Sequence, residues 1–399
     1  MEPRVTILVV LVAAAALVAG VELAARRWIR TRAAYYVFAP GQRLRLLIDR
    51  ETLPELEPVA RIEINGDGER GPDVPDISRG ETLYRVLVAG GSQPEGYLLD
   101  QDTTWPGALG RMLAAPDLLR SLGASKVHVG SIAKSGVGTE ALDTILACVL
   151  RRYPRLSAIV ILVGASDILR WLEEGAPSSA PSAPVPTAEL FHWHPEHAFE
   201  WRRPRTLATV ELVKRIHSRL RPAREHAAAG RWLRKARSMR ARAKVIRATM
   251  PNPEVMLAHF DTNLRRLIAR AQRHADRVVV VQQPWYGKDA LTPEESGHMW
   301  HGGVGRAWRE EVTTFFSVDI TARLMAMMNA RAASVAAELG VETLDLMPVL
   351  EPSLETYYDF FHLTPAGARI VAAAVAGIIT RPARAPAEDV QSCADLRAS

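Results

Sequence analysis

Cysteine is nearly absent from this 399-residue chain, which has only Cys148 and Cys393. Two thiols cannot build a multi-disulfide scaffold or a four-cysteine zinc site. Cys393 sits in a polar tail, so both are expected to stay as thiols. A large charge imbalance is missing too: 50 basic residues face 44 acidic ones and leave +6. So mild an excess excludes a dedicated nucleic-acid binder. With 24% charged and 48% hydrophobic residues, the chain as a whole is not one that stays unfolded. Its length suits one enlarged domain or two ordinary ones.

Two local features stand out against this average. The first is an apolar run, Val5 to Val21, whose only polar side chain is Thr6. Leu23, Ala24 and Ala25 extend it past Glu22. At about 1.5 Å per residue such a helix reaches across a hydrocarbon core. It is expected to be a retained single-pass anchor. The alternative is a signal peptide, for which Ala19 and Gly20 permit cleavage. The second feature is a basic stretch. Arg202 to Arg247 holds 16 Lys or Arg against Glu211 and Glu225, so it carries +14 and leaves −8 elsewhere.

Five apolar runs read as buried strands: Tyr84–Ala89, Lys126–Gly130, Ala158–Gly164, Arg277–Gln283 and Val341–Leu346. Helical patterns lie between them at Trp105–Leu122, Thr139–Arg152, Met256–His274 and Ile320–Leu339, with a last helix from Pro365 to Ile379. This alternation predicts an α/β fold, a parallel sheet with helices on both sides. A Pro/Ser/Ala-rich linker, Gly175–Pro186, and the basic stretch separate the third and fourth strands.

Sites in such sheets collect at the carboxyl ends of the strands. After the first strand comes Gly90-Gly91-Ser92, after the second Ser131 to Gly136, after the third Gly164-Ala165-Ser166-Asp167. Asp359-Phe360-Phe361-His362 precedes the final helix. Ser92 is a candidate nucleophile, His362 its base and Asp359 the group that orients the imidazole. The N–H groups of Ser92 and Gly136, with the Ser166 hydroxyl, are candidate donors to an oxyanion.

In order and position these four blocks resemble the SGNH (GDSL-like) hydrolase superfamily, in particular its membrane-anchored bacterial members. The resemblance covers roughly residues 60–380 outside the inserts. Asn65-Gly66-Asp67-Gly68-Glu69-Arg70-Gly71 is similar to the lead-in of the anchored members, and Thr104-Trp105-Pro106 to the start of their first helix. It implies a three-layer α/β/α sandwich on a five-stranded parallel sheet, and a Ser-His-Asp ester hydrolase with Ser92, His362 and Asp359 in those roles. It implies no cofactor and no metal. Three positions depart from the family pattern. Gly91 stands where Asp is common, Ser131 where Asn is common in the second block, and Ser166 where the third block has an oxyanion-binding Asn. Losing one such donor costs about 10²–10³ in turnover.

The expected organisation is an anchor at 5–25, a lead-in at 31–80 and a hydrolase-like domain at 81–380. That domain carries inserts at about 175–255 and 287–316, and a loose tail follows at 381–399. The basic insert is expected as a helical lid with anionic-lipid contact over 202–247. His192, His194 and His197 do not match a zinc spacing and are read as a loop. The arginines after the run, Arg26, Arg27, Arg30 and Arg32, favour a cytoplasmic body. The resemblance implies an extracytoplasmic one, which is the expectation taken. The expected substrate is a small-molecule, glycan or lipid ester. Acyl transfer by the same triad, or a degenerate binding domain, are the alternatives.

Overall fold

The computed structural model describes residues 3–32, 34–179, 184–195, 199–220 and 223–382. Helix α1 (Pro3–Arg32) is 30 residues long, and its apolar part is exposed. It is long and apolar enough to cross a membrane. The central sheet has strands β1 (Leu83–Gly90), β2 (Lys126–Ser131), β3 (Leu156–Leu162), β4 (Ala275–Val281) and β5 (Glu342–Leu344). All neighbours are parallel, in the order β5-β4-β3-β1-β2. Val86 to Ala89, Ile159 to Leu162 and Val279 to Val281 are almost fully buried. Side chains of this size contribute about 1.5–3 kcal/mol each when buried, which explains the unbroken apolar runs.

The longer helices of this domain, after the one-turn α2 (Ser92–Glu95), are α3 (Trp105–Leu113), α4 (Thr139–Val149), α5 (Ala165–Glu173), α6 (Ala208–Leu220), α7 (Arg231–Ala241), α8 (Glu254–His274), α9 (Val318–Glu338) and α10 (Pro365–Ile379). On one face of the sheet α3 packs against α10; on the other α8 packs between α4 and α9. The result is the expected α/β/α sandwich. The single helix expected over Trp105–Leu122 is instead two, the second being Pro116–Ser121. Pro116 disfavours helical geometry at the residue before it, and Ala115 is extended at φ −62°, ψ 137°.

The lead-in forms an antiparallel hairpin, Arg43–Ile48 with Val59–Glu63. Arg224–Ala229 of the basic insert adds to its edge in parallel, so the insert is not wholly helical. The tail beyond 382, and Cys393 with it, lie outside the described residues. Cys148 forms no disulfide among them.

The chain leaves β1 for β2 on one side, then returns past it to β3. Adjacent crossovers thus part between β1 and β3, and a crevice opens at their carboxyl ends.

Candidate active site

Ser92 begins α2 immediately beyond β1. Two glycines make this turn possible. A Cβ on Gly90 would meet the Leu162 carbonyl oxygen at 2.2 Å, and one on Gly91 would sit 3.1 Å from Ser166 Oγ. The turn is held from beneath by the lead-in. The buried Arg70 guanidinium donates to the carbonyls of Glu95, Gly96 (3.0 Å) and Leu99 (2.7 Å), which anchors the end of α2. This accounts for the arginine of the lead-in motif.

His362 Nε2 lies 2.8 Å from Ser92 Oγ. Its Nδ1 lies 2.8 Å from Asp359 Oδ2 and 2.9 Å from Oδ1. Asp359 is wholly buried. Its Oδ1 accepts the N–H groups of Phe361 and His362, each at 2.9 Å, and its Oδ2 accepts Trp300 Nε1–H at 2.9 Å. Burial pushes this carboxyl up, but the His362 charge and the donors from His362 and Trp300 outweigh it. The carboxyl is held well below the usual carboxylate range. Burial lowers the His362 imidazole, and Asp359 more than reverses that, so its pKa is raised above 6.5.

Gly136 sits at φ +77°, a left-handed conformation that strains any residue with a side chain. Its loop is tied down by Glu95, whose Oε2 accepts the Ser135 N–H at 2.7 Å and the Ser135 hydroxyl. Among the described residues, the N–H groups of Ser92 and Gly136 have no protein acceptor. Ser166 is partly exposed in the first turn of α5. Asp167 beside it accepts Thr139 N–H at 3.0 Å and Thr139 Oγ1–H at 2.7 Å, which joins the second and third loops. The five sequence-predicted site residues, Ser92, Gly136, Ser166, Asp359 and His362, thus line one cleft of about 640 Å³.

Sequence reasoning missed several neighbours. Glu95 lies three residues after Ser92 and gave no signal as a polar residue in a short helix. Trp300 lies in the 287–316 insert and gave none either. His301 is buried, and its Nδ1 has no hydrogen-bond partner among the described residues. Burial drives its pKa down to about 3, so it is neutral near pH 7. His301, Asp359 and His362 hold donor atoms within 4.8 Å of one another. Both Asp359 oxygens are already committed to hydrogen bonds. His192 is exposed, Trp193 pairs with Tyr36, and His197 lies outside the described residues.

Two arginines in the second half of the basic insert turn into the molecule. Arg237 donates to the Tyr358 carbonyl at 2.8 Å, and Arg240 to the carbonyls of His301 and Phe316. Both arginines belong to α7, which also brings Trp232 and Leu233 to the cleft. Glu173, further along the cleft, is pushed up to about 6 by burial, against the pull of Arg306 and Arg170.

This α/β/α sandwich, with Asp359, His362 and Ser92 gathered beyond its strand ends, is that of a carboxylic ester hydrolase. The chain belongs to the GDSL-like lipase/acylhydrolase family, whose model matches residues 88–370. Among solved structures it is similar to Axe2, an acetylxylan esterase from Geobacillus stearothermophilus. That likeness has 12% identity and a TM-score of 0.39, covering 78% of this chain and 100% of the other. A G-D-S-L family lipolytic protein from Veillonella parvula DSM 2008 is similar at 11% identity and TM-score 0.39, with 75% and 100% covered. No curated protein matches the sequence.

Proposed function

We propose that the protein hydrolyses acyl esters through Ser92, His362 and Asp359. The observation that carries this reading is the unbroken relay from Ser92 Oγ through His362 to Asp359, with 2.8 Å at each link. Ser92 Oγ attacks the ester carbonyl while His362 Nε2 takes its proton. The tetrahedral oxyanion is held by the N–H groups of Ser92 and Gly136 and by the Ser166 hydroxyl. His362 then protonates the leaving alcohol as the C–O bond breaks. Water, deprotonated by His362, cleaves the acyl-serine, and His362 returns the proton to Ser92 Oγ. Asp359 stays ionised and stabilises the imidazolium that forms in each half-reaction.

Tyr97, Trp232 and Trp308 line the cleft with partly exposed rings, which suits the apolar face of a sugar. This favours an O-acylated glycan as the substrate. Helix α1 is read as a retained membrane anchor. The hydrolase domain is assigned to the extracytoplasmic side on the resemblance to exported members, against the arginine distribution. A carboxyl-terminal topology reporter separates the two orientations.

The test of the mechanism is covalent labelling. A fluorophosphonate probe should label the wild-type protein and leave Ser92→Ala unlabelled; equal labelling of both refutes the nucleophile.

A further inference from the structure

The first half of the basic insert is built differently from the second, and the difference lies where α1 leaves its apolar run. Glu22 is buried, although it is the first charged residue after seventeen without one (Val5–Val21). Its carboxylate accepts the N–H groups of Ala208 (2.8 Å) and Thr209 (2.9 Å), and the Thr209 hydroxyl at 2.9 Å. These are the first donors of α6, so a residue of α1 caps α6 and satisfies N–H groups that a helix start leaves open. Arg26 completes the junction. Its Nε donates to Glu22 at 2.7 Å, and its guanidinium lies 4.8 Å from the centre of the Trp201 ring. Ala25 and Ile29 of α1 bury themselves against Phe199 and Ala208, with Leu212 beside them.

The face of α6 turned away from this junction is not polar. Val213 is 65% exposed and Ile216, three residues on, 53%. Trp201 and Trp28 expose 50% and 42%. Around them stand six exposed cations: Arg27, Arg30, Arg202, Arg203, Arg205 and Lys214. The nearby acids are engaged, Glu200 with Arg203 at 3.1 Å and Glu211 with Arg215 at 3.2 Å. In α7, by contrast, Arg234, Arg237 and Arg240 bond to the body of the protein.

We propose that α6, with Trp28 and Trp201, lies in the interfacial layer of the membrane and binds anionic lipid headgroups. The proposal rests on the reading of α1 as an anchor. Tryptophan rings prefer the headgroup level, and an amphipathic helix places its apolar stripe at the acyl boundary with cations among the phosphates. The junction at Glu22 puts α6 at that level, one residue past the end of the apolar run. Lipid contact therefore falls to residues 201–217 rather than to the whole basic insert.

The test uses the full chain with Cys148→Ser and Cys393→Ser, its ester hydrolysis checked to be retained. Spin labels are placed singly at Val12→Cys, Ile216→Cys and Val349→Cys. Each protein is reconstituted in phosphatidylcholine vesicles with and without phosphatidylglycerol. The ratio of collision with oxygen to collision with a water-soluble nickel chelate reports depth. The expected order with phosphatidylglycerol is Val12 deepest, Ile216 intermediate and Val349 aqueous. Adding Arg205→Glu and Lys214→Glu should move the Ile216 label toward the aqueous value. An Ile216 label as aqueous as Val349, with Val12 still deep, overturns the proposal alone. An Ile216 depth indifferent to phosphatidylglycerol overturns the anionic headgroup as its ligand. An aqueous Val12 label overturns the anchor itself.

Discussion

Replacing Asp359 with Asn removes one charge and changes almost no volume, yet the hydrogen bonds around it make the outcome calculable. The carboxylate receives four donors: the N–H groups of Phe361 and His362 on one oxygen, Trp300 Nε1–H on the other, and His362 Nδ1–H within reach of both. An asparagine offers one acceptor oxygen. Facing it toward the two backbone donors satisfies the larger number and turns the amide NH₂ toward Trp300 and His362 Nδ1. Donor then meets donor at Trp300 and at the shorter, 2.8 Å contact of His362 Nδ1. His362 escapes by carrying its proton on Nε2, and Nε2–H cannot accept the Ser92 proton. The expected loss in kcat is about 10⁴-fold for a base locked in the wrong tautomer. That equals about 5.4 kcal/mol of transition-state stabilisation. The stranded Trp300 N–H adds about 1–3 kcal/mol of lost stability. Hydrolysis of p-nitrophenyl acetate by Asp359→Asn gives the rate, and thermal melting checks that the variant is folded. A folded variant within tenfold of wild-type kcat refutes the role given to Asp359.

The remaining predictions concern the same cleft. His362 must be neutral to act as a base and its pKa is raised, so kcat/KM should climb with pH through a midpoint above 6.5; a midpoint below 6.5 contradicts the Asp359 pairing. The same ion pair should add stability that is full below the unfolded histidine value and fades as pH rises through the folded one, which melts taken across that range would detect. Glu95→Gln should untether the Ser135–Gly136 loop and lower kcat by about 10²-fold, the lower end of what one oxyanion donor contributes, with KM little changed. A rise in KM with kcat intact speaks against loop positioning. Ser166→Asn should keep or raise turnover; a folded variant as inactive as Ser92→Ala removes Ser166 from the oxyanion site.

The candidate site was legible at the strand ends because there the chain order itself carries the geometry. Ser92, Gly136 and Ser166 each follow a strand whose position in a parallel sheet is dictated by its apolar run, and His362 immediately precedes the last helix. Trp300 and His301 come from an insert, and no periodicity ties an insert to the sheet, so their approach to Asp359 left no trace in the sequence. Charge counting failed in the basic insert for a different reason. A count treats every arginine as solvated, whereas Arg237 and Arg240 are drawn inward by carbonyl oxygens that carry no formal charge. Pro116 is the opposite case: its effect on Ala115 is local, and the break in the first helix could be read without knowing the fold.

The junction between α1 and the body begins at Glu22 and runs through Ala25, Arg26 and Ile29, whereas nearly all the residues before it are exposed. The clasp thus lies entirely on the body's side of the small-residue pair Ala19-Gly20. A proteolytic cut after Gly20 would detach the apolar run and leave every one of those contacts in the released chain. On the anchor reading, losing the span and unfolding are therefore separable events, and a chain cut once after Gly20 would keep its fold and be held at the membrane by the α6 surface alone.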